Sequence, residues 1–393
     1  MAIARNIQDS LARASWIRKM FEEGARLKEV HGPENVFDFS LGNPNLEPPE
    51  AFLDALAREA ADRGPGRHAY MPNPGYPDVR EAVAQRVSRE QEVSVSGAEV
   101  VMTCGAAGAL NVIFKAILDP GDEVLTPTPF FVEYGYYAAN HGGKLVTVPT
   151  AEDFSLDLSA FEAAISPKTK AVLLNSPNNP TGQVYSTESL ERLSALLARK
   201  SKELGRVIYL LSDEPYRGIA FDGIKVPSIL AAYENSIVAT SYSKELSIPG
   251  ERIGFLAVNP AAEDHDLLLA ALAMTNRILG FVNAPALLQR AVGAVPHAMV
   301  NPAPYQANRD ILCKGLAEAG YRFTTPKGAF YLFPKSPIPD DVAFVAELQK
   351  ERILAVPGSG FGGPGHFRLA FCVDSATIEN ALPGFARAIK NVS

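Results

Sequence analysis

Cysteine is scarce. Three residues, Cys104, Cys313 and Cys372, in 393 positions form neither an even disulfide framework nor a clustered metal site. The expectation is a cytoplasmic protein with no metal centre. Long apolar runs are also missing: no stretch reaches the roughly 18 residues that span a bilayer, and the N-terminus has no secretory core segment. Charge of one sign never accumulates into a run. A net charge of −7, from 37 basic and 44 acidic residues, argues against nucleic acid or an anionic membrane as the main partner. No internal repeat is visible. What is present is ordinary for a globular protein: 47% hydrophobic and 21% charged residues, in a chain long enough for two or three domains. Thirty glycines and thirty prolines are scattered between periodic segments, so they mark turns and site loops.

The most informative stretch is Ser241-Tyr-Ser-Lys-Glu-Leu-Ser-Ile-Pro-Gly-Glu-Arg-Ile-Gly-Phe255. Apolar residues precede it at 237–239 and follow from Ile253 to Val258, so it reads as strand, loop, strand. Lys244 and Arg252 stand at the two ends of the loop. Two cations near each other favour a polyanion between them. A partly desolvated lysine beside like charge gives up its proton more readily and becomes a usable nucleophile. The pair suits a carbonyl compound that carries a phosphate. A solvated loop lysine is the alternative that this stretch alone leaves open.

Taken in order, residues 15–28 read as an amphipathic helix with Ile17, Met20, Phe21 and Leu27 on one side, either a surface helix or an arm on a partner subunit. Residues 36–39 alternate like a short strand, and Gly42 then permits a close backbone approach. A helix is expected over 48–63. The loop 68–77 is dense in proline and glycine and contains Tyr70, and a helix follows over 77–90. From Glu99 strands alternate with helices, the pattern of a mostly parallel sheet. The strands are expected at 100–103, 123–126, 144–148, 171–175, 207–212, 236–240 and 253–258. Ligands of such sheets sit at the carboxyl ends of strands. Those ends carry Gly105-Ala106-Ala107 opening a helix, whose free amides suit a phosphate, and Phe131, an aromatic able to stack on a flat ring. They also carry the amide-rich turn Asn175–Gly182 and Asp213-Glu-Pro-Tyr216. A carboxylate at the end of a buried strand is costly unless paired. A helix is expected over 264–278. From about Val300 the pattern becomes α+β: a helix near 308–319, strands near 321–324 and 329–333, a helix near 341–351, and strands at 353–357 and 366–371. Arg368 sits on the last of these among apolar neighbours, which is expensive unless it meets an anion.

The spacing S-x-S-K-x7-R-x-G at 241–254 and N-P-T-G at 179–182, with Tyr70, Asp213, Tyr216 and Arg368 in the same order, resembles the class I/II aminotransferases. These are fold-type-I pyridoxal 5′-phosphate (PLP) enzymes of the aspartate aminotransferase type. The resemblance covers nearly the whole chain. It implies an α/β fold with a large domain over 48–285 built on a mostly parallel seven-stranded sheet flanked by helices. Residues 286–393 are implied to form a small α+β domain, joined by the N-terminal arm of residues 1–47. It implies that Lys244 forms a Schiff base with PLP, that Asp213 keeps the pyridine nitrogen protonated, and that Asn179 and Tyr216 bond its phenolic oxygen. Ser241, Ser243, Arg252 and the backbone of Gly105, Ala106 and Ala107 are implied to hold the phosphate. Family members often have Ser, Thr or Gln in that last loop, so backbone amides would do more here. Phe131 is implied to cover the ring, and Gly42, Asn179, Phe330 and Arg368 to meet the substrate. Tyr70 is implied to reach the neighbouring site of a homodimer. The reaction implied is transfer of the amino group of an L-amino acid to a 2-oxo acid such as 2-oxoglutarate or pyruvate, by a ping-pong mechanism. A C–S lyase or synthase on the same scaffold, and a non-catalytic PLP-binding protein, are the alternatives. Arg277 is a candidate second cation for a dicarboxylate substrate, and Phe131, Phe330 and Tyr134 equally suit alanine or larger apolar and aromatic substrates.

Overall fold

The computed structural model describes residues 3, 4, 7, 8 and 16–392. The expected first helix runs from Trp16 to His31. Ser15 and the side chains of Ile17, Met20 and Phe21 lie outside the described residues.

Twelve strands are seen among the described residues: β1 (Phe37–Asp38), β2 (Val100–Thr103), β3 (Glu123–Thr128), β4 (Lys144–Pro149), β5 (Thr169–Asn175), β6 (Tyr209–Asp213), β7 (Ser236–Ser241), β8 (Gly254–Val258), β9 (Tyr331–Leu332), β10 (Ile353–Leu354), β11 (Val356–Pro357) and β12 (Phe367–Ala370). Seven of them form one sheet in the order β2-β8-β7-β6-β5-β3-β4. Neighbouring pairs from β7 to β4 are parallel, while β8 runs antiparallel to both β2 and β7. The central strands β5, β6, β7 and β8 are almost entirely buried and rich in apolar residues because both faces are covered, whereas the edge strand β4 is largely exposed. Alternate residues serve the two sides: Val100 and Met102, Leu210, Val238, and Phe255 and Ala257 join the core under helices Pro77–Gln91 and Thr187–Leu204. Val101, Leu211, Ile237, and Leu256 and Val258 join the core under helices Gly105–Ile117 and His265–Ile278. Local signals set the helix ends. Pro77 occupies the first turn of its helix, where the missing N–H costs nothing. Thr187–Leu204 is capped by the Ser186 hydroxyl and stopped by Gly205 at φ 64°.

The C-terminal part folds around its own core, including Tyr305, Leu312, Phe330, Phe344, Phe367 and Phe385. Its sheet has the order β11-β12-β9. β1 pairs in parallel with β10, Phe37 facing Ile353, so the segment before residue 47 is tied to this part of the chain. Three expectations change here. Residues 321–324 form no strand. Tyr321 instead points inward, its hydroxyl donating to the Phe385 carbonyl at 2.9 Å, and its ring packs on Phe344 and Phe367. The helix expected from 308 begins earlier, at Ala303, and ends at Glu318. The helix Ala286–Ala294, expected with the C-terminal unit, packs against helices Glu50–Ala61 and Pro77–Gln91, and Leu288, Ala291 and Val292 join the core of the large sheet. Among the described residues no helix is long and apolar enough to cross a membrane.

Candidate active site

The loops that follow β5, β6, β7 and β2 and the one that precedes β8 open at the same end of the large sheet. The reversal of β8 makes this possible: Gly254, its first residue, is level with Ser241 at the end of β7 and Thr103 at the end of β2. A side chain at 254 would collide with the Thr240 carbonyl and stand 2.9 Å from the Gly105 Cα. Glycine is therefore what lets the three segments meet. The loop expected at 241–253 begins as one helical turn, Tyr242–Glu245, in which Lys244 points into the space between the large sheet and the C-terminal unit.

A cavity of about 270 Å³ lies there. Gly42, Ala106, Ala107, Phe131, Asn179, Asp213, Tyr216, Ser241, Ser243, Lys244, Arg252 and Arg368 all line it. Those twelve were singled out from sequence. Gly105 sits just behind the wall at φ 73°, and a methyl group on it would stand 2.9 Å from an Arg252 guanidinium nitrogen. The helix it opens has no side-chain cap, so the first-turn amides are free for a ligand. Besides Gly105, three expected residues lie outside the wall. Tyr70 is 90% exposed. Arg277 is exposed at the end of its helix. Phe330 is fully buried, and its neighbour Tyr331 lines the cavity in its place. Phe330 belongs to the turn before β9, and Tyr331 is the strand's first residue. The close approach at Gly42 is made by that same tyrosine: a Cβ there would overlap the Tyr331 hydroxyl.

Lys244 Nζ donates to the Gly42 carbonyl at 2.7 Å and lies 5.4 Å from the Phe330 ring centre. Burial, with Arg368 and Arg252 nearby, lowers its amine from 10.5 to about 8. Asp213 is 6% exposed. Its Oδ2 accepts from the Tyr134 hydroxyl at 2.6 Å, while Oδ1 is buried with no partner. Burial pushes the carboxyl from 3.8 up to about 7, against the pull of the Tyr134 hydrogen bond. The Asn175 amide donates to the Asp213 carbonyl at 2.9 Å, and its oxygen accepts from the Asn179 backbone at 2.7 Å. One turn thus fixes both Asp213 and Asn179. Arg368 donates to Asn179 Oδ1 at 3.1 Å and to the Ser40 carbonyl at 2.6 Å, and its Nε has no partner. Its guanidinium lies 4.7 Å from the Tyr331 ring centre and 4.6 Å from that of Phe361. Tyr216 and Tyr331 share a hydroxyl–hydroxyl bond of 2.9 Å.

The sequence offers Tyr134 as a substrate-facing aromatic, whereas its hydroxyl is spent on Asp213. Its spacing of three from Phe131 was the available signal, since the two rings pack edge to face at 5.5 Å. No local signal marks Tyr137 or Leu110, which also line the wall.

The chain matches the family Aminotransferase class I and II over residues 34–385. It is 34% identical over 361 residues to an aspartate/prephenate aminotransferase of Thermus thermophilus, covering 89% of this chain and 90% of that one. It is 28% identical to an aromatic-amino-acid aminotransferase of Thermococcus litoralis, covering 99% of each. Among solved structures, an aminotransferase from Eubacterium rectale superposes with a TM-score of 0.96 at 39% identity, covering 100% of this chain and 99% of that one. The chain belongs to the class I and II aminotransferases. It is a PLP-dependent enzyme that exchanges an amino group between amino acids and 2-oxo acids.

The wall of this aminotransferase fits the cofactor. The orphaned Asp213 Oδ1 is a buried acceptor without a donor, as a protonated ring nitrogen would require. The uncapped helix at Gly105 and the Arg252 guanidinium frame a space suited to a phosphate. Lys244 supplies a depressed amine between them.

Proposed function

We propose that this aminotransferase divides its cavity between two anions, the cofactor phosphate at Arg252 and the substrate α-carboxylate at Arg368, with the Lys244 amine between. One observation carries the reading: three cations, Lys244, Arg252 and Arg368, face one cavity, and among the described residues none of them forms an ion pair. Arg368 is buried and Lys244 half-buried, and such cations without a counter-charge are expensive unless anions complete them, while Arg252 is exposed and free to meet an incoming anion.

In this reading Ser241, Ser243, Arg252 and the backbone of Gly105, Ala106 and Ala107 hold the phosphate. Phe131 covers the ring face, and Tyr216 and Asn179 bond the phenolic oxygen. Asp213 keeps the ring nitrogen protonated. When bound, PLP supplies an electron-poor ring that draws charge from the substrate α carbon. The chain's own residues do the rest. Arg368 takes the α-carboxylate on its planar fork and Asn179 sets its angle, which turns the Cα–H bond toward the Lys244 amine. That amine, lowered to about 8, has an appreciable neutral fraction near pH 7 and can accept the α proton and return it. The cavity wall between the cations is aromatic: Phe131, Tyr134, Tyr137, Tyr216 and Tyr331. The relatives named for aspartate, prephenate and aromatic substrates support aspartate and aromatic L-amino acids as donors, with 2-oxoglutarate as an acceptor.

The protein is further proposed to be a cytoplasmic homodimer with Tyr70 in the neighbouring cavity. An aromatic ring 90% exposed on a rigid loop supports this, as do Leu267, Met274 and Ile278 exposed along one helix face. A monomer mass in sedimentation would oppose it. We place the domain boundary near residue 299, after the helix that packs on the large sheet. The function is tested with purified PLP-loaded protein and a panel of L-amino acids against 2-oxoglutarate and pyruvate, following the new amino acid by mass spectrometry. Release of pyruvate with ammonia or sulfide in place of transfer would favour a lyase. No reaction with any donor would favour a binding protein.

A further inference from the structure

Two buried carboxylates have no part in the reaction described above. Glu214 and Glu245 are each 2% exposed, and each directly follows a residue of the cavity wall, Asp213 and Lys244. Both reach away from the cavity to the end of helix Pro77–Gln91. Arg86 pairs with Glu245 and, at 2.6 Å, with Glu90. Arg217 pairs with Glu214 at 2.9 Å, and the Gln91 amide donates to the same oxygen at 2.9 Å. Glu245 also accepts from the Gly218 amide at 3.1 Å, and its backbone carbonyl accepts from Val300 at 2.7 Å. The Arg86 guanidinium lies 5.7 Å from the Tyr242 ring centre, so it touches both ends of the turn Tyr242–Glu245.

Buried ion pairs are poor stabilisers, because removing both charges from water offsets most of their attraction. A single helical turn is also unfavourable on its own, so the position of Tyr242–Glu245 depends on what grips it. We propose that Arg86 and Glu245 are positioning residues for Lys244. Their ion pair locks the turn against helix Pro77–Gln91 and thereby holds the Lys244 amine at the Gly42 carbonyl, 2.7 Å away. The inference rests on the reading of Lys244 as the proton-transferring amine.

The test compares Glu245→Gln, Arg86→Lys, Arg86→Met and the double variant Arg86→Met/Glu245→Met, which keeps volume and removes both charges. In the PLP-loaded enzyme, Glu245→Gln is expected to lower kcat about 10- to 100-fold with KM changed by less than about 3-fold, the pattern of a misplaced catalytic group. Arg86→Lys, which keeps the charge, recovers part of what Arg86→Met loses. In the full chain stripped of cofactor, the rate at which an acylating reagent labels Lys244 at about pH 8, read by peptide mass spectrometry, shifts by about 3-fold or more in the same variants. If Glu245→Gln does not fold, the double variant carries the test. A folded double variant with unchanged kcat and unchanged labelling overturns the proposal. A labelling shift in a protein that transfers no amino group would keep the positioning role and remove the proposed reaction.

Discussion

Asp213→Asn should cost the enzyme its activity and yet make the cofactor-free protein more stable at alkaline pH. The carboxyl is lifted from 3.8 to about 7. For an acid lifted in this way, the folded state binds the extra proton between those two values. Stability is therefore full below about pH 4 and falls as pH rises through 7. A shift of about 3 units at about 1.4 kcal/mol each sets a ceiling near 4 kcal/mol of strain above pH 7. Asparagine removes the titration. It keeps an acceptor for the Tyr134 hydroxyl, which stands 2.6 Å from Oδ2, but leaves a buried amide N–H at the position of the orphaned Oδ1, a cost of about 1–3 kcal/mol. The expected net gain is about 1–3 kcal/mol at pH 8. For 393 residues, a gain of 2 kcal/mol corresponds to about 2–3 °C in Tm. The assay is thermal unfolding of the cofactor-free protein, unmutated and Asp213→Asn, from pH 4 to 9. The difference should be absent or reversed at pH 4 and grow toward pH 8. PLP should abolish or invert it, because the ring nitrogen supplies the charge that Asp213 lacks. Parallel melting curves at every pH would refute the argument, for they would mean that Asp213 is already charged and compensated without cofactor.

Arg368→Lys keeps the charge but loses the planar fork. It should lower kcat/KM by about 30-fold, about 2 kcal/mol, equally for amino and 2-oxo acids and mainly through KM. Cofactor affinity should stay unchanged, and unaltered steady-state kinetics would exclude a carboxylate role. Tyr70→Ala and Lys244→Ala should each be impaired alone, whereas a refolded mixture of the two should regain activity, since a hybrid dimer holds one site with both residues intact. Absence of complementation, in a mixture that native mass spectrometry shows to contain hybrids, would place Tyr70 outside the neighbouring cavity.

Much of this arrangement could be read locally. The strands of the large sheet are short, largely apolar runs separated by helical stretches. Asp213 ends such a run, Asn179 and Lys244 follow the carboxyl ends of two others, where the topology places ligands, and Arg252 precedes the reversed strand β8. What could not be read depends on partners distant in sequence. Tyr134 meets Asp213 across 79 positions, and no spacing announces it. Tyr331 and not Phe330 faces the cavity, because the register of a two-residue strand is fixed by its neighbour β12 and not by its own pattern. Residues 321–324 alternate like a strand, yet Tyr321 spends its hydroxyl on the Phe385 carbonyl and its ring on the aromatic core. The helix 286–294 is amphipathic in a way that suits either core, and only tertiary packing assigns it.

The stretch 241–254 shows how local chemistry and topology combine. Two cations eight positions apart in sequence could have been two ends of an open loop. The antiparallel return of β8 beside β7 brings the second cation back to the edge it left, with Gly254 facing Ser241. β2 joins from the other side and sets Gly105 against Arg252. A parallel β8 would have carried Arg252 to the opposite end of the sheet, about 16 Å away for a five-residue strand, beyond the reach of any phosphate held near Lys244. The single reversed strand in an otherwise parallel arrangement is thus the feature that turns a lysine and an arginine into one anion site. It also explains why glycine stands at 254, where no side chain fits.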